Sequence, residues 1–153
     1  MPKIDIAAIE ARTSTVYPDE FKHVTEGRAK TRLGDAVGLT QFGVNLTRLA
    51  PGAASALRHW QELEDEFVFV VEGELVLVEE DGETILRAGD AAGFKAGVPN
   101  GHCLINRGDH DAVIVEVGTR SPDEKVHYPD VDLAVYKDDD GYHFTTKSGE
   151  PYE

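Results

Sequence analysis

Residues 37 to 119 are a series of short apolar segments, each cut off by a turn before it can grow into a long helix. The cuts fall at Pro51-Gly52, Glu72-Gly73, Asp81-Gly82, Gly89-Asp90 and the breaker-rich Gly97-Val98-Pro99-Asn100-Gly101. Between them lie Val37 to Leu49, Ala54 to Gln61, Glu66 to Val71, Glu74 to Glu79, Glu83 to Arg87, Ala91 to Lys95, His102 to Asn106 and Ala112 to Val117. Asp81-Gly82 is a strong hairpin signal, because both positions tolerate positive φ. Glu66 to Val71 carries apolar residues on both faces, as a strand inside a barrel or sandwich does. Short strands at regular spacing with few helix signals predict an all-β sandwich or barrel.

The chain has 153 residues, enough for one domain with a real core. Residues 1 to 36 read as an N-terminal extension, with a short helix over Asp5 to Arg12 and a basic patch at Arg28, Lys30 and Arg32. Residues 120 to 153 read as a polar C-terminal tail packing on the barrel or on a partner subunit, and Asp138 to Gly141 as a solvated turn. The formal net charge of -14 repels phosphate backbones and anionic lipid, so neither nucleic acid nor a membrane surface is an expected partner. One cysteine, Cys103, allows no intrachain disulfide and fits a reducing compartment, and the first residues lack the apolar stretch of a secretory signal. The expected location is the cytoplasm.

His59 and Gln61, two apart, share one face of a strand, and Glu66 opens the next strand after a short turn. His102 and Asn106, four apart, share a face of a later strand. Where such faces converge, two imidazoles and a carboxylate form a facial triad that holds a divalent transition metal: Fe, Mn, Ni, Co or Zn. Asn106 is expected to bond loop backbone. Cys103 and Trp60 are expected to point away from the triad, Cys103 as a packed small residue. Phe67, Phe69 and Phe94 are expected in the core or lining the barrel. Arg48 and Arg58 can grip an anion bidentately, but surface ion pairing is the simpler expectation in so acidic a chain. Gly93, Gly97 and Gly101 lack the Lys-Ser/Thr and the helix of a phosphate loop.

The run Pro51-Gly52, His59-Trp60-Gln61, Glu66, Gly73 resembles the first motif of the cupin superfamily, with four residues between Gln61 and Glu66 and six between Glu66 and Gly73. The run Gly93, Pro99, Gly101-His102, Asn106 resembles the second. Arg-Leu-Gly-Asp, Phe-Gly-Val-Asn and His127-Tyr128-Pro129-Asp130 resemble a subgroup of small bacterial cupins, some of which carry the name sugar-phosphate isomerase. The resemblance implies a double-stranded β-helix barrel (jelly roll) over 37–119 with both termini as extensions. It implies one metal on His59, Gln61, Glu66 and His102, Glu66 as a proton-moving group, a small-molecule ligand and a homodimer. Three departures stand out. Gln61 replaces the motif's second histidine, Gly52 lies one residue further from His59, and the gap between Gly101 and His102 is missing. Gln61 is the one that touches the site: it offers a carbonyl oxygen, a harder and weaker donor than imidazole. The implied function is isomerase, epimerase, lyase or Fe(II) dioxygenase chemistry on a small organic acid, sugar or sugar phosphate. The alternative is a non-catalytic binding or sensor protein with a weakened metal site.

Overall fold

Twelve strands, all paired antiparallel, make three sheets in the computed structural model, which describes residues 2–152. In chain order they are β1 (Arg28–Arg32), β2 (Phe42–Leu49), β3 (Trp60–Gln61), β4 (Glu66–Glu72), β5 (Glu74–Glu79), β6 (Gly82–Arg87), β7 (Ala91–Phe94), β8 (Cys103–Ile105), β9 (Ala112–Thr119), β10 (Glu124–His127), β11 (Ala134–Asp138) and β12 (Gly141–Thr145). The large sheet runs β1-β2-β9-β4-β7, the second β12-β11-β10-β3, and the third β6-β5-β8. Sequence-distant neighbours such as β2 and β9 mark jelly-roll wrapping rather than a simple meander.

Strand alternation decides what each face carries. On β4, Val68 and Val70 turn inward and are buried, and with Leu49, Leu75, Leu77, Leu86, Leu104 and Ile114 they form the main core. Phe67 and Phe69 therefore turn outward and are exposed, which corrects their expected place in the core or barrel lining. Phe94 does face inward and packs on that core. The β4–β5 turn depends on Gly73: its φ is 84°, and a Cβ there would lie 2.8 Å from the Asp111 carbonyl oxygen and 2.9 Å from Ala112 Cα.

Both extensions join the sheets. β1 pairs with β2 over its whole length, and Arg12 exchanges backbone hydrogen bonds with Lys30 at 2.8 and 2.9 Å. The helix expected over Asp5 to Arg12 shrinks to one 3₁₀ turn, Ile6–Ala8, which buries nothing. Propensity without packing does not hold so short a helix. The tail contributes β10, β11 and β12, and a second core gathers Tyr17, Tyr128, Leu133 and Val135. Two expected strands are shorter than read by five residues or more. The first starts at Phe42, after a 3₁₀ turn at Asp35–Val37 that ends in left-handed Gly38. Of Ala54 to Gln61 only Trp60–Gln61 forms a ladder. That segment crosses between sheets, with Ala54 bridging Ile105 of β8 while Gln61 pairs with Val126 of β10. No helix among the described residues is long and apolar enough to cross a membrane.

Candidate metal centre

His59 and His102 are cross-strand neighbours. Each backbone N–H donates to the other's carbonyl, at 3.1 and 2.9 Å, so the two rings stand side by side with centroids 4.8 Å apart. His59 Nδ1 lies 2.8 Å from the Leu57 carbonyl, and His102 Nδ1 lies 3.0 Å from the Asn100 carbonyl. A carbonyl only accepts, so each Nδ1 carries the hydrogen and each Nε2 is left to face inward. Phe94 stacks on the His102 ring, centroids 3.6 Å apart and planes within 3°.

Glu66 begins β4 beside Phe94 of β7, and its Oε1 meets both imidazoles, 3.1 Å from His59 Nε2 and 3.0 Å from His102 Nε2. The donor atoms of the three residues all lie within 4.8 Å of one another. Electrostatics matches the geometry. Burial disfavours the Glu66 carboxylate, but the two imidazoles outweigh it and hold the acid well below the usual carboxylate range. Burial likewise disfavours a charged His59, and Glu66 outweighs it, raising the imidazole.

Gln61 lines the same cavity. Its Nε2 donates to Glu64 Oε1 at 3.1 Å, while its Oε1 is buried with no hydrogen-bond partner among the described residues. Glu64 is buried, not solvated, and also accepts from Ser121 N–H at 2.7 Å and Lys137 Nζ at 2.8 Å. The group of donors suits a divalent transition ion. Both Nδ1 atoms are tied to carbonyls, as in metal-binding histidines generally, one carboxylate is shared, and Gln61, whose amide oxygen has no partner among the described residues, lines the same cavity.

The cavity measures about 400 Å³, the size of a small-molecule site. Two buried tyrosines, Tyr17 and Tyr128, line it, and burial raises both phenols so that they stay protonated. Glu116 of β9 also lines it, accepting a short hydrogen bond from Thr47 Oγ1. Arg12, Arg28, Lys30 and Arg32 complete the wall.

The remaining sequence expectations sort cleanly. Asn106 is fully buried and bonds backbone: Nδ2 donates to the Leu49 and His110 carbonyls, and Oδ1 accepts from Gly108 N–H. Arg58 forks onto Asp130 with two contacts of 2.8 Å and meets Glu80 at 2.6 Å, and Arg48 meets Asp111 at 3.4 Å. Cys103 is buried, and its thiol is pushed up to about 11 by that burial. Glu116, Tyr17 and the cationic wall went unassigned from sequence. The wall was legible in the alternation Arg28-x-Lys30-x-Arg32, which places three cations on one strand face. Nothing local singles out Glu116 or Tyr17.

Comparisons with known proteins agree. The Cupin domain family matches residues 45–118. A crystal structure from Silicibacter pomeroyi, described as a sugar phosphate isomerase from a cupin superfamily, is 51% identical with a TM-score of 0.96, over 99% of this chain and 97% of that one. A structure from Acidithiobacillus ferrooxidans is 29% identical with a TM-score of 0.75, over 79% of this chain and 77% of that one. The polyketide cyclase RemF from Streptomyces resistomycificus shares the fold at 16% identity and a TM-score of 0.64, over 78% and 79% of the two chains. A comparison with curated proteins finds none that matches. An antiparallel jelly roll, two motif histidines and a glutamate at one point, and a half-identical relative matched over nearly the whole of both chains place this chain in the cupin superfamily.

Proposed function

We propose that this chain is a metal-dependent enzyme of isomerase, epimerase or lyase type acting on a small organic acid, sugar or sugar phosphate. The observation that carries the reading is the meeting of His59 Nε2, His102 Nε2 and Glu66 Oε1 on the wall of a cavity of small-molecule size. The description of the Silicibacter pomeroyi relative supports the substrate class. His59, Glu66 and His102 would hold a divalent ion, with the Gln61 amide oxygen available as a further donor, and the ion would supply Lewis-acid polarisation of a carbonyl or hydroxyl pair.

The chain's own residues do the rest. Glu66 is committed to both imidazoles, so its role is to hold rather than to carry protons. Glu116 is the second carboxylate in the cavity, close enough to His59 to favour that imidazole's charge, and we assign it the proton transfer. Tyr17 and Tyr128 stay neutral and offer hydroxyls to substrate oxygens. The test has two parts. Protein purified without chelators is expected to carry close to one metal per chain, lost in His59→Ala and His102→Ala. In D2O, nuclear magnetic resonance is expected to show exchange of the proton beside a carbonyl in a member of a sugar, sugar-phosphate and hydroxy-acid panel. Glu116→Gln should slow that exchange by about 10² to 10⁴ while leaving the metal in place. Failure to load any of Fe, Mn, Co, Ni or Zn would overturn the reading.

Two observations favour other readings of the same site. Three strong protein donors leave positions for both oxygen and substrate, which suits Fe(II) dioxygenase chemistry and would appear as oxygen uptake. Gln61 in place of a histidine suits a non-catalytic sensor, which would bind ligand without exchange or uptake. For assembly, we propose a homodimer through the outer face of the large sheet. Val44, Val117 and Phe67 form one cross-strand row there, and Leu46, Val115 and Phe69 the next. Phe67 and Phe69 are 45% and 38% exposed, and the rows carry no charge in a chain of net charge -14. Light scattering at micromolar concentration should give a dimer, and Phe67→Glu with Phe69→Glu a monomer. A wild-type monomer refutes it. The one cysteine, buried and unpaired, suits the cytoplasm.

A further inference from the structure

We infer that the edge strand β1 builds an oxyanion subsite in the metal-centre cavity, from Arg28, Lys30 and Arg32 with Arg12 beside them, so that the substrate carries a phosphate or carboxylate away from its reacting carbons. The inference rests on His59, Glu66 and His102 being the reacting centre.

Register places the cations on the same concave face as Glu66. Arg32 lies opposite Asn45, Asn45 opposite Glu116, and Glu116 opposite Val68 of β4. Lys30 lies opposite Thr47, Thr47 opposite Ile114, and Ile114 opposite Val70. Val68 and Val70 are inward-facing, so both rows point into the barrel. Arg12, bridged to Lys30, extends the second row by one strand width. All four cations line the cavity that His59, Glu66 and His102 line.

Charge and hydrogen bonding say what the cations are for. The chain holds 29 acids and 15 bases, yet this cavity's wall has four cations against two carboxylates, Glu66 and Glu116. Elsewhere the acids find the bases: Arg58 meets Asp130 at 2.8 Å, Arg120 meets Asp35 at 2.6 Å, and Lys137 meets Glu64 at 2.8 Å. In the cavity they do so only at longer range, without a hydrogen bond. Lys30 Nζ is 3.8 Å from Glu116 Oε1 and Arg32 Nη1 is 3.8 Å from Asp35 Oδ2, both too long for hydrogen bonds. Arg28 is only 9% exposed; its Nη1 donates to the Ser55 carbonyl at 2.7 Å, and its Nε is buried with no partner among the described residues. A buried cationic donor left unbonded is expensive, and an anion in the adjoining cavity offsets part of that cost through its charge. Guanidinium forks beside an ammonium match the oxygens of a phosphate or carboxylate.

The test uses the full chain after chelator treatment, with inorganic phosphate and malonate as probes at constant ionic strength, followed by calorimetry and thermal unfolding. Saturable binding of at least one probe is expected without metal, and comparing the two identifies the preferred oxyanion. Lys30→Gln and Arg32→Gln should each weaken binding about tenfold or more, while Arg107→Gln, on a surface pair with Glu83, should leave it unchanged. Arg28 is buried, so Arg28→Lys is used there; it keeps the charge, loses the fork and should weaken binding. Where Arg32→Gln fails to fold by circular dichroism, Arg32→Met replaces it; it keeps the aliphatic stem, removes the charge and should weaken binding by a similar factor. No binding of either probe up to about 50 mM, or equal binding by wild type and the Lys30 and Arg32 variants, overturns the subsite. Metal analysis on the same preparations separates the two readings. Metal loading without anion binding defeats the subsite alone, and anion binding without metal loading defeats the metal reading alone.

Discussion

Asn106→Ala tests whether the second motif's asparagine is a structural tie or part of the chemistry. Its side chain is fully buried and makes three hydrogen bonds, donating to Leu49 and His110 carbonyls at 2.9 and 2.8 Å and accepting from Gly108 N–H at 2.9 Å. These ties join the exit of β8 to the end of β2 and to the loop that leads into β9. At about 1 kcal/mol net for each of the three bonds, the loss comes to about 3 kcal/mol. For a chain of this length each kcal/mol lowers the unfolding temperature by about 2 to 4 °C, so a fall of about 10 °C is expected. Asn106→Asp separates hydrogen bonding from packing: it keeps the size and the Gly108 bond, but replaces two donors with a carboxylate facing two carbonyls. It should be at least as damaging as alanine. Denaturant and thermal unfolding measure both, and metal per folded molecule should not change in either. A loss below about 1 kcal/mol for Asn106→Ala, or an Asp variant as stable as wild type, would refute the tie.

Gln61→His should tighten metal binding about tenfold by exchanging an amide oxygen for an imidazole, and a chelator competition that shows equal or weaker binding would place Gln61 outside the metal's reach. Cys103 is 7% exposed, so an aromatic disulfide reagent should label it only at the rate of unfolding; prompt labelling of the native protein would refute its packed position. The Arg58 fork holds the Asp130 carboxyl below its ordinary value. A depressed folded pKa gives stability that is present above the unfolded value of about 3.9 and is lost as pH falls through the folded value. The unfolding temperatures of wild type and Asp130→Asn should therefore differ most at pH 5 to 7 and converge towards pH 3. A gap that is constant with pH would show that charge is not what Asp130 contributes.

What could be read from the sequence followed the period of the pattern. Glu74 to Glu79 was placed correctly at both ends because Gly73 and Asp81-Gly82 bracket it, and both glycines adopt the positive φ that a turn demands. His59, Glu66 and His102 were legible because fixed spacing within two motifs implies fixed places in two strands. The misreadings came where chain-distant partners decide. Alternation in β4 shows only that Phe67 and Val68 face opposite ways, and which of them is inside depends on β5 and β9. Ala54 to Gln61 looks like one strand until two different sheets claim its ends. The Arg28-x-Lys30-x-Arg32 row is the sharpest case. Its spacing showed a cationic strand face, but an exposed face and a cavity wall have the same period. Only the register through β2 and β9 to β4 turns that face towards Glu66, and so turns a basic patch on an acidic chain into the wall of a cavity.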